Sequence, residues 1–166
     1  MPSPHDTAPD SQNPQRTILR PARINDISAI IALEKSSDSA AHWTQSAYRD
    51  IFTPSSPSRI CIVLEEDSKI HHLLGFIIAR LAAPDCELEN IVVDHPLQRR
   101  GFGKQLLHAL ASAARAQSAT RIFLEVRESN SAARALYENC GFAITGRRPS
   151  YYTAPAEDAV LYALQL

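Results

Sequence analysis

The segment at residues 98–104 (QRRGFGK) combines glycines with basic side chains at the start of an amphipathic stretch. Gly101 and Gly103 let the backbone approach a ligand closely, because glycine carries no Cβ. A helix that begins here offers free N–H groups and the positive end of its dipole, which together attract anions. The cations of the segment are Arg99, Arg100 and Lys104. The segment therefore predicts a cradle for a phosphate or pyrophosphate, with a plain glycine turn that starts a helix as the alternative.

Spacing disfavours several other kinds of site. The glycines match neither G-x-G-x-x-G nor G-x-x-x-x-G-K-[ST], which argues against a Rossmann or P-loop domain. Cys61, Cys86 and Cys140 are scattered and show no metal-ligand or CxxC spacing. His71 and His72 are adjacent, so on a strand they would point to opposite faces. We therefore expect no metal site and no disulfide framework.

Further motifs around the glycine segment resemble those of the GNAT acetyltransferases. They are residues 90–96 (NIVVDHP), 98–104 (QRRGFGK), 124–130 (LEVRESN), 135–142 (ALYENCGF), 147–152 (RRPSYY) and 157–159 (EDA). The family patterns that they resemble are NIAVxP, Q/R-x-x-G-x-G/A, LEVRxSN, ALYxxxGF and RRxxYY…EDA. This combination is similar to the RimI branch, which acetylates the N-terminal alanine of a small-subunit ribosomal protein. Residues 42–44 (HWT) resemble the aromatic loop of that branch, and the resemblance is strong from Glu87 onward.

The resemblance implies acetyl-CoA as a co-substrate and no metal ion. In GNAT enzymes the strand before the glycine motif holds the pantetheine arm by backbone hydrogen bonds, and the glycine loop holds the pyrophosphate. The residues that take these positions here are Ile91, Val92, Val93, Arg99, Arg100, Gly101, Phe102, Gly103 and Lys104. The family also places a cofactor contact at Asn130, which the local pattern predicts as the N-cap of a helix.

The resemblance implies acid–base roles for Glu125 and Tyr137. In the RimI branch, the glutamate that matches Glu125 is the general base and the tyrosine that matches Tyr137 is the general acid. These roles suit the reaction, because an amine must lose a proton before it attacks a thioester, and the departing thiolate needs a proton or a hydrogen bond. Two structural alternatives stay open: Glu125 could pair with Arg121 or Arg127, and Tyr137 could be a core residue only.

A second pair of carboxylates, Glu87 and Glu89, competes for the role of base. Alternate residues of a regular strand share a face, but a bulge would change which of them faces the cleft. Other GNAT branches place the base at the position that matches Glu87. We also expect Glu87, Trp43, Tyr151 and Tyr152 to contribute to the peptide slot, with surface packing as the alternative for the two tyrosines.

Hydrophobic periodicity and capping signals predict the elements that position these residues. The expected strands cover 17–20, 59–64, 73–81, 87–93, 121–126, 142–146 and 158–164, and helices should begin near Asn25 or Asp26, Thr44, Gly101 and Asn130. The third helix should bury a stripe of Phe102, Leu106, Leu107, Leu110, Ala113 and Ala114. This order indicates a mixed α/β fold with some parallel pairing. The resemblance implies a GNAT fold: a mixed, mostly antiparallel central sheet with two parallel splayed middle strands and helices on both faces.

The composition is that of an ordinary globular domain. The chain has 166 residues, 45% of them hydrophobic, and its 17 basic and 18 acidic residues leave a net charge of −1. Residues 17–166 should form one domain, preceded by a polar, proline-rich and disordered tail at 1–16. The charge balance disfavours a general nucleic-acid binder, and no apolar run is long enough to span a membrane. Without a signal-peptide pattern, we expect a cytoplasmic protein with no direct nucleic-acid or membrane binding.

The sequence therefore predicts an enzyme, a protein N-terminal acetyltransferase in which the amine attacks acetyl-CoA directly. Its expected partner is a protein or peptide N-terminus, and the resemblance implies the alanine of a ribosomal protein. A GNAT enzyme that acetylates a lysine side chain or a small amine is the alternative. A non-catalytic acyl-CoA-sensing module is a third hypothesis, which the presence of both Glu125 and Tyr137 disfavours.

Overall fold

The computed structural model describes residues 16–37, 41, 43–53, 58–68 and 72–166. The helices are α1 (Ile27–Lys35), α2 (Gln45–Asp50), α3 (Phe102–Ala116) and α4 (Ser131–Asn139). The strands are β1 (Thr17–Pro21), β2 (Ser58–Glu66), β3 (Leu73–Ala82), β4 (Asp85–Val93), β5 (Arg121–Arg127), β6 (Ala143–Thr153) and β7 (Ala156–Gln165). Residues 1–15 of the predicted tail, together with His42 and His71, lie outside the described residues. The carbonyl of Arg16 already accepts a hydrogen bond from the Asp67 N–H at 2.8 Å.

The described strands form one seven-stranded sheet in the order β1-β2-β3-β4-β5-β7-β6. Neighbouring strands are antiparallel except for β4 and β5, which run parallel. Their paired positions are Asp85 with Arg121, Cys86 with Ile122, and Glu87 with Phe123. A parallel pair needs a crossover connection, and α3 supplies it. The predicted mixed sheet with two parallel middle strands is confirmed.

Helices cover both faces of the sheet, as expected. The α3–α4 face is packed by the buried stripe Phe102, Leu106, Leu107, Leu110, Ala111 and Ala114. Ala111 takes the place predicted for Ala113, because it lies one helical turn after Leu107 and so points into the sheet. The α1–α2 face is packed by a separate cluster that includes Ile30, Tyr48 and Phe76.

Strand β6 is longer than the sequence predicts. The expected strand ended at residue 146, whereas β6 continues to Thr153. Pro149 and Ser150 have the composition of a loop, but they lie within the strand at a bulge. The pairing with β7 resumes beyond them, so the hairpin reaches further than local sequence signals indicate.

A bulge in β4 redirects the side chains at the centre of the sheet. Between Leu88 and Asn90, β4 contains one residue more than its partner β3, so Glu89 is the additional residue. Leu88 belongs to the core of the α3–α4 face. Glu89 and Asn90 both turn toward the α1–α2 face, where Glu89 contacts β2 and Asn90 contacts α1. The bulge therefore aims two consecutive polar side chains at one face.

Glu34 joins three parts of the α1–α2 face through buried hydrogen bonds. Its side chain on α1 is buried, with 1% of the residue exposed. The Asn90 Nδ2 on β4 donates to Glu34 Oε1 at 2.8 Å, and the Trp43 N–H donates to both carboxyl oxygens at 3.3 and 3.2 Å. Burial, with Glu34 nearby, raises the pKa of Tyr48 on α2 above its usual range. One carboxyl group therefore links α1, the start of α2 and β4.

Replacing Glu34 should destabilise the fold in a graded way. Glu34→Ala leaves two buried donors without an acceptor, which should lower the free energy of unfolding by about 2–4 kcal/mol. Glu34→Gln keeps one acceptor oxygen in the same volume and should lose less. Urea unfolding of both variants measures the difference, and an Ala variant as stable as the Gln variant would contradict this account.

Candidate active site

Strands β4 and β5 separate soon after they pair. Their parallel ladder ends at Glu87 and Phe123, while β4 continues to Val93 and β5 to Arg127. The β5 side of β4 beyond Glu87 therefore has no strand partner in the described ladder. Backbone N–H and C=O groups are strong hydrogen-bonding groups, so an unpaired strand edge in a cleft is a binding surface for an extended ligand. The predicted residues Ile91, Val92 and Val93 lie on this edge.

The start of α3 has the geometry of an anion site. Gly101 adopts a φ of 87° and Arg99 a φ of 64°, so the loop turns sharply into the helix. The first helical bond runs from the Gln105 N–H to the Gly101 carbonyl at 3.1 Å, and the preceding N–H groups have no intrahelical acceptor. No carboxylate in the described part of the chain forms an ion pair with the cations Arg99, Arg100 and Lys104.

The two glycines of this loop serve different purposes. A Cβ on Gly101 would meet nothing within 4 Å, so its positive φ is the reason for glycine there. A Cβ on Gly103 would lie 2.9 Å from Leu136 Cδ2 on α4. The sequence interpretation assigned both glycines to backbone approach toward a ligand. At Gly103 the structure shows in addition a close contact between α3 and α4, and the approach of a ligand to the loop stays a prediction.

Asn130 is the N-cap of α4, as predicted. Its side-chain oxygen accepts a hydrogen bond from the Ala133 N–H at 3.1 Å. Gly141 ends the same helix with a φ of 88°. The cap fixes where α4 begins after β5, and the cofactor contact at Asn130 stays a prediction.

Glu125 lies on the face of β5 that turns away from α3 and α4. Its neighbours in β5, Leu124 and Val126, are buried in the α3–α4 core, so the alternation of the strand directs Glu125 to the other side. Its Oε1 is 3.1 Å from Nε of Arg148 on β6. Neither open alternative for its partner is correct, because Arg121 pairs with Asp85 and Arg127 pairs with Glu157.

The competing carboxylates lie on the same face as Glu125, and each has an arginine partner. Glu87 pairs with Arg80, and Glu89 pairs with Arg59 at 2.7 Å. Glu89 is the additional residue of the bulge, but the alternation from Glu87 through Leu88 to Glu89 is kept, so Glu87 and Glu89 share a face as on a regular strand. Sequence analysis did not identify these arginines or Arg148 as partners, because each pair joins residues from different strands.

Tyr137 is on the opposite face, within the core beneath α4. The residue is 6% exposed, and its ring packs against those of Phe142 and Tyr162, with centroids 5.7 and 6.0 Å apart. Burial raises the pKa of Tyr137 above its usual range, and Tyr152 contributes further. Burial also raises the pKa of Tyr152, and the negative charge of Glu125 raises it further. Tyr152 therefore interacts electrostatically with both predicted catalytic side chains.

The predicted slot residues fall into two groups. Glu125, through a hydrogen bond and its charge, raises the pKa of Tyr151, and Glu87 contributes to the same shift. The structure thus brings Tyr151, Tyr152, Glu87 and Glu125 together. Trp43 packs against the core of the α1–α2 face, where its ring is 5.6 Å from that of Tyr48 and from the Arg59 guanidinium, and its place in the slot stays a prediction.

Arg127 fastens the tip of the β6–β7 hairpin to the end of β5. Its guanidinium donates to the carbonyls of Ala154 and Pro155 at 3.2 and 3.3 Å and pairs with Glu157 at 3.2 Å. The same group lies 4.1 Å above the centre of the Tyr152 ring. These contacts hold the hairpin that carries the tyrosines beside Glu125.

The described residues contain no group of three or more His, Cys, Asp or Glu side chains that could hold a metal ion. In the same residues, no helix is both long and apolar enough to cross a membrane. All three cysteines are free; Cys61 and Cys86 are buried, and Cys140 is partly buried.

Comparison with known proteins identifies the family. The model of the acetyltransferase (GNAT) family matches residues 27–142. The chain belongs to this family. It is 42% identical over 96 residues to the [ribosomal protein bS18]-alanine N-acetyltransferase of Salmonella typhimurium, an alignment that covers 57% of this chain and 65% of that protein.

Solved structures agree with the GNAT fold. The ribosomal-protein-S18-alanine N-acetyltransferase of Escherichia coli matches with a TM-score of 0.76 and 28% identity, over 90% of this chain and 94% of that chain. Arabidopsis thaliana NAA60, solved in complex with acetyl-CoA, matches in fold with a TM-score of 0.81 and 14% identity, over 91% and 100% of the two chains. The predicted resemblance and fold are confirmed, and the chain is an enzyme of the acetyltransferase class.

The contact between Gly103 and Leu136 predicts that Gly103→Ala destabilises the native protein but stabilises a variant that lacks the Leu136 side chain. In the native background, Gly103→Ala should lower the free energy of unfolding by about 1 kcal/mol, because overpacking exceeds the gain in helix propensity. In a Leu136→Ala background the clash is gone, so the same substitution should stabilise. Urea unfolding of the four proteins checks this, and a destabilisation of equal size in both backgrounds would refute the packing role of Gly103.

Proposed function

We propose that the protein transfers the acetyl group of acetyl-CoA to the α-amine of a protein N-terminus. The alanine of a bS18-type ribosomal protein is the proposed acceptor, because the Salmonella and Escherichia coli relatives are named for that activity. The observation that carries the proposal is the separation of β4 and β5 beside the start of α3, with Glu125 on one side of the sheet and Tyr137 on the other. Action on a newly made ribosomal protein would take place in the cytoplasm.

Two features support acetyl-CoA as the donor. The unpaired edge of β4 offers backbone groups to a narrow polar arm, and one of them could donate to the thioester oxygen as negative charge develops there. At the end of this edge, the N-terminus of α3 suits a pyrophosphate, as do the cations Arg99, Arg100 and Lys104, which have no carboxylate partner in the described part of the chain. Bound acetyl-CoA would supply the activated acetyl group, and the residues of β4 and the α3 loop would hold and orient it.

We propose Glu125 as the general base. The amine can attack only without its proton, and a carboxylate at the cleft can accept that proton directly or through water. Glu125 is largely buried and lies among the tyrosines of the predicted slot. Glu87 is the alternative base, because it shares the face and lies on the adjacent strand. Glu125 is the less exposed of the two side chains, at 18% against 30%, and has the larger effect on the pKa of Tyr151, which favours Glu125.

We propose that Tyr137 assists the leaving thiolate by a hydrogen bond. Its raised pKa keeps the hydroxyl protonated throughout the neutral range. A thiol has an ordinary pKa of about 8.5, so complete proton transfer from a tyrosine of higher pKa would be unfavourable. The hydroxyl can nevertheless donate a hydrogen bond to the thiolate as it departs. This modifies the sequence expectation of a full general acid.

A route through an acetylated cysteine is disfavoured. Burial raises the pKa of Cys61 to about 12 and that of Cys86 to about 11. Burial also raises the pKa of Cys140. The nucleophilic form of cysteine is the thiolate, which is scarce at neutral pH when the pKa is this high. Direct attack by the amine is therefore the proposed route.

The charges of the cleft favour an α-amine over a lysine. Removing the proton at pH 7 costs about 1 kcal/mol for an α-amine of pKa about 7.8, against roughly 4–5 kcal/mol for a lysine of pKa about 10.4. Additional carboxylates without a cationic partner would help to remove the proton of a lysine, but Glu87 and Glu89 are both paired with arginines. The site is thus suited to the more acidic ammonium group.

The two proposed catalytic residues should differ in their pH dependence. Glu125→Gln should lower kcat by roughly 10²–10⁴-fold near pH 7, and the loss should shrink toward pH 9, where more of the amine is already neutral. Tyr137→Phe should show a constant loss over this range, because the raised pKa leaves the native hydroxyl protonated throughout. Steady-state kinetics from pH 6 to about 9 separates the two effects.

Glu87→Gln is the matched control for the base. It removes a carboxylate from the same face and should leave most of the activity. Near-native activity of Glu125→Gln together with an inactive Glu87→Gln would move the base to β4.

The acceptor can be identified with one peptide that carries both kinds of amine. A peptide with a free N-terminal alanine and an internal lysine should be acetylated at the terminus, because the α-ammonium loses its proton more easily. Fragmentation by mass spectrometry locates the acetyl group. Modification mainly at the lysine would favour the alternative acceptor, and transfer to neither amine under any condition would favour an acyl-CoA sensor.

A further inference from the structure

Arg148 covers the carboxylate that the proposed reaction needs. The Glu125 side chain is 18% exposed, whereas that of Arg148 is 56% exposed, and Arg148 Nε is 3.1 Å from Glu125 Oε1. The arginine therefore lies on the solvent side of the pair. An ammonium group that arrives from solvent must share or replace this contact before it can give a proton to Glu125.

The register of β6 and β7 places Arg148 on the face of Glu125: Arg148 lies opposite Ala159, and Glu125 lies opposite Leu161, two positions along β7. A bulge begins directly after Arg148. From Arg148 to Tyr152, β6 advances four positions while the paired residues of β7, Ala159 and Glu157, advance two. Such a bulge bends the strand and redirects its side chains. Arg148 reaches Glu125 from here although β7 lies between their strands.

Local contacts hold the bulge in place. Ser150 has a φ of 50°, a conformation rarely adopted by residues other than glycine, and its N–H donates to the Asp158 carboxylate at 2.8 Å. The Arg148 guanidinium lies 5.5 Å from the centre of the Tyr151 ring. Unfavourable backbone conformations persist only where the surroundings impose them, and they concentrate at functional sites.

We propose that Arg148 is an internal competitor for the substrate ammonium: it neutralises Glu125 in the free enzyme and is displaced when an N-terminal α-ammonium enters. This inference rests on the proposed function. Acetylation turns the cation into a neutral amide, which cannot compete with a guanidinium for a carboxylate. The pair between Arg148 and Glu125 then forms again. Arg148 thereby sets the enzyme to distinguish the charged substrate from its neutral product.

A binding experiment with two peptides isolates this competition. The peptides share one sequence that begins with alanine, and one of them is already acetylated at its α-amine. Calorimetric titration in the presence of CoA, which cannot donate an acetyl group, measures both affinities. Arg148→Gln should tighten binding of the free-amine peptide by about two- to fivefold, the worth of a partly exposed ion pair, and leave the acetylated peptide unchanged.

Arg147→Gln is the matched control. It changes the net charge equally at the adjacent position, but Arg147 pairs with Glu128 instead of Glu125. Neither affinity should change in this variant. Because the Arg148 side chain is more than half exposed, Arg148→Gln should fold, which circular dichroism verifies. Arg148→Lys keeps the positive charge but lacks the planar guanidinium that matches a carboxylate. It should therefore increase the affinity for the free-amine peptide by a smaller factor.

Three results would overturn the inference. Weaker binding of the free-amine peptide by Arg148→Gln or Arg148→Lys would make Arg148 a substrate contact. An equal increase in affinity for both peptides would show that Arg148 does not compete with the ammonium group. The gain could also persist in a Glu125→Gln background. Failure of the proposed base is measured separately, as undiminished kcat in Glu125→Gln, and does not affect these binding results.

Discussion

The short parallel ladder between β4 and β5 is the constraint on which the site depends. Two neighbouring strands of a sheet ordinarily satisfy each other's backbone groups along their shared length. Here the ladder ends at Glu87 and Phe123, β5 continues beside β7, and a bulge at Glu89 adds twist to β4. The cleft, the unpaired edge of β4 and the closeness of that edge to α3 all follow from this early separation.

Electrostatic balance is the second organising feature. Every carboxylate identified at the cleft has a guanidinium partner from another strand: Arg80 with Glu87, Arg59 with Glu89, and Arg148 with Glu125. Partly buried carboxylates would otherwise repel one another and lose solvation without compensation. The cations at the start of α3 contrast with this balance, because they form no ion pair with a carboxylate among the described residues. Positive charge is thus concentrated where a phosphate group would bind.

Local signals were sufficient to predict most elements and several site residues. The stripe of α3, the cap at Asn130 and the stop at Gly141 each depend on residues within a turn or two of one another. The partner of Glu125 could not be predicted in this way, because Arg148 lies on β6, which is separated from β5 by β7. The packing of Gly103 against Leu136 could not be predicted either, since the two residues are distant in sequence. Contacts of this kind depend on strand register and helix packing, which a single sequence specifies only weakly.

The contacts of Arg127 have a consequence for the entropy of peptide recognition. A hairpin tip at the surface would normally be mobile, and a bound peptide would have to immobilise it. Here Arg127 ties the tip to β5 through two carbonyls and Glu157, with the Tyr152 ring held beneath the guanidinium. The conformational freedom of the tip is therefore lost when the chain folds. In the proposed function, an arriving peptide would meet a preorganised wall, which would leave more of its contact energy for affinity.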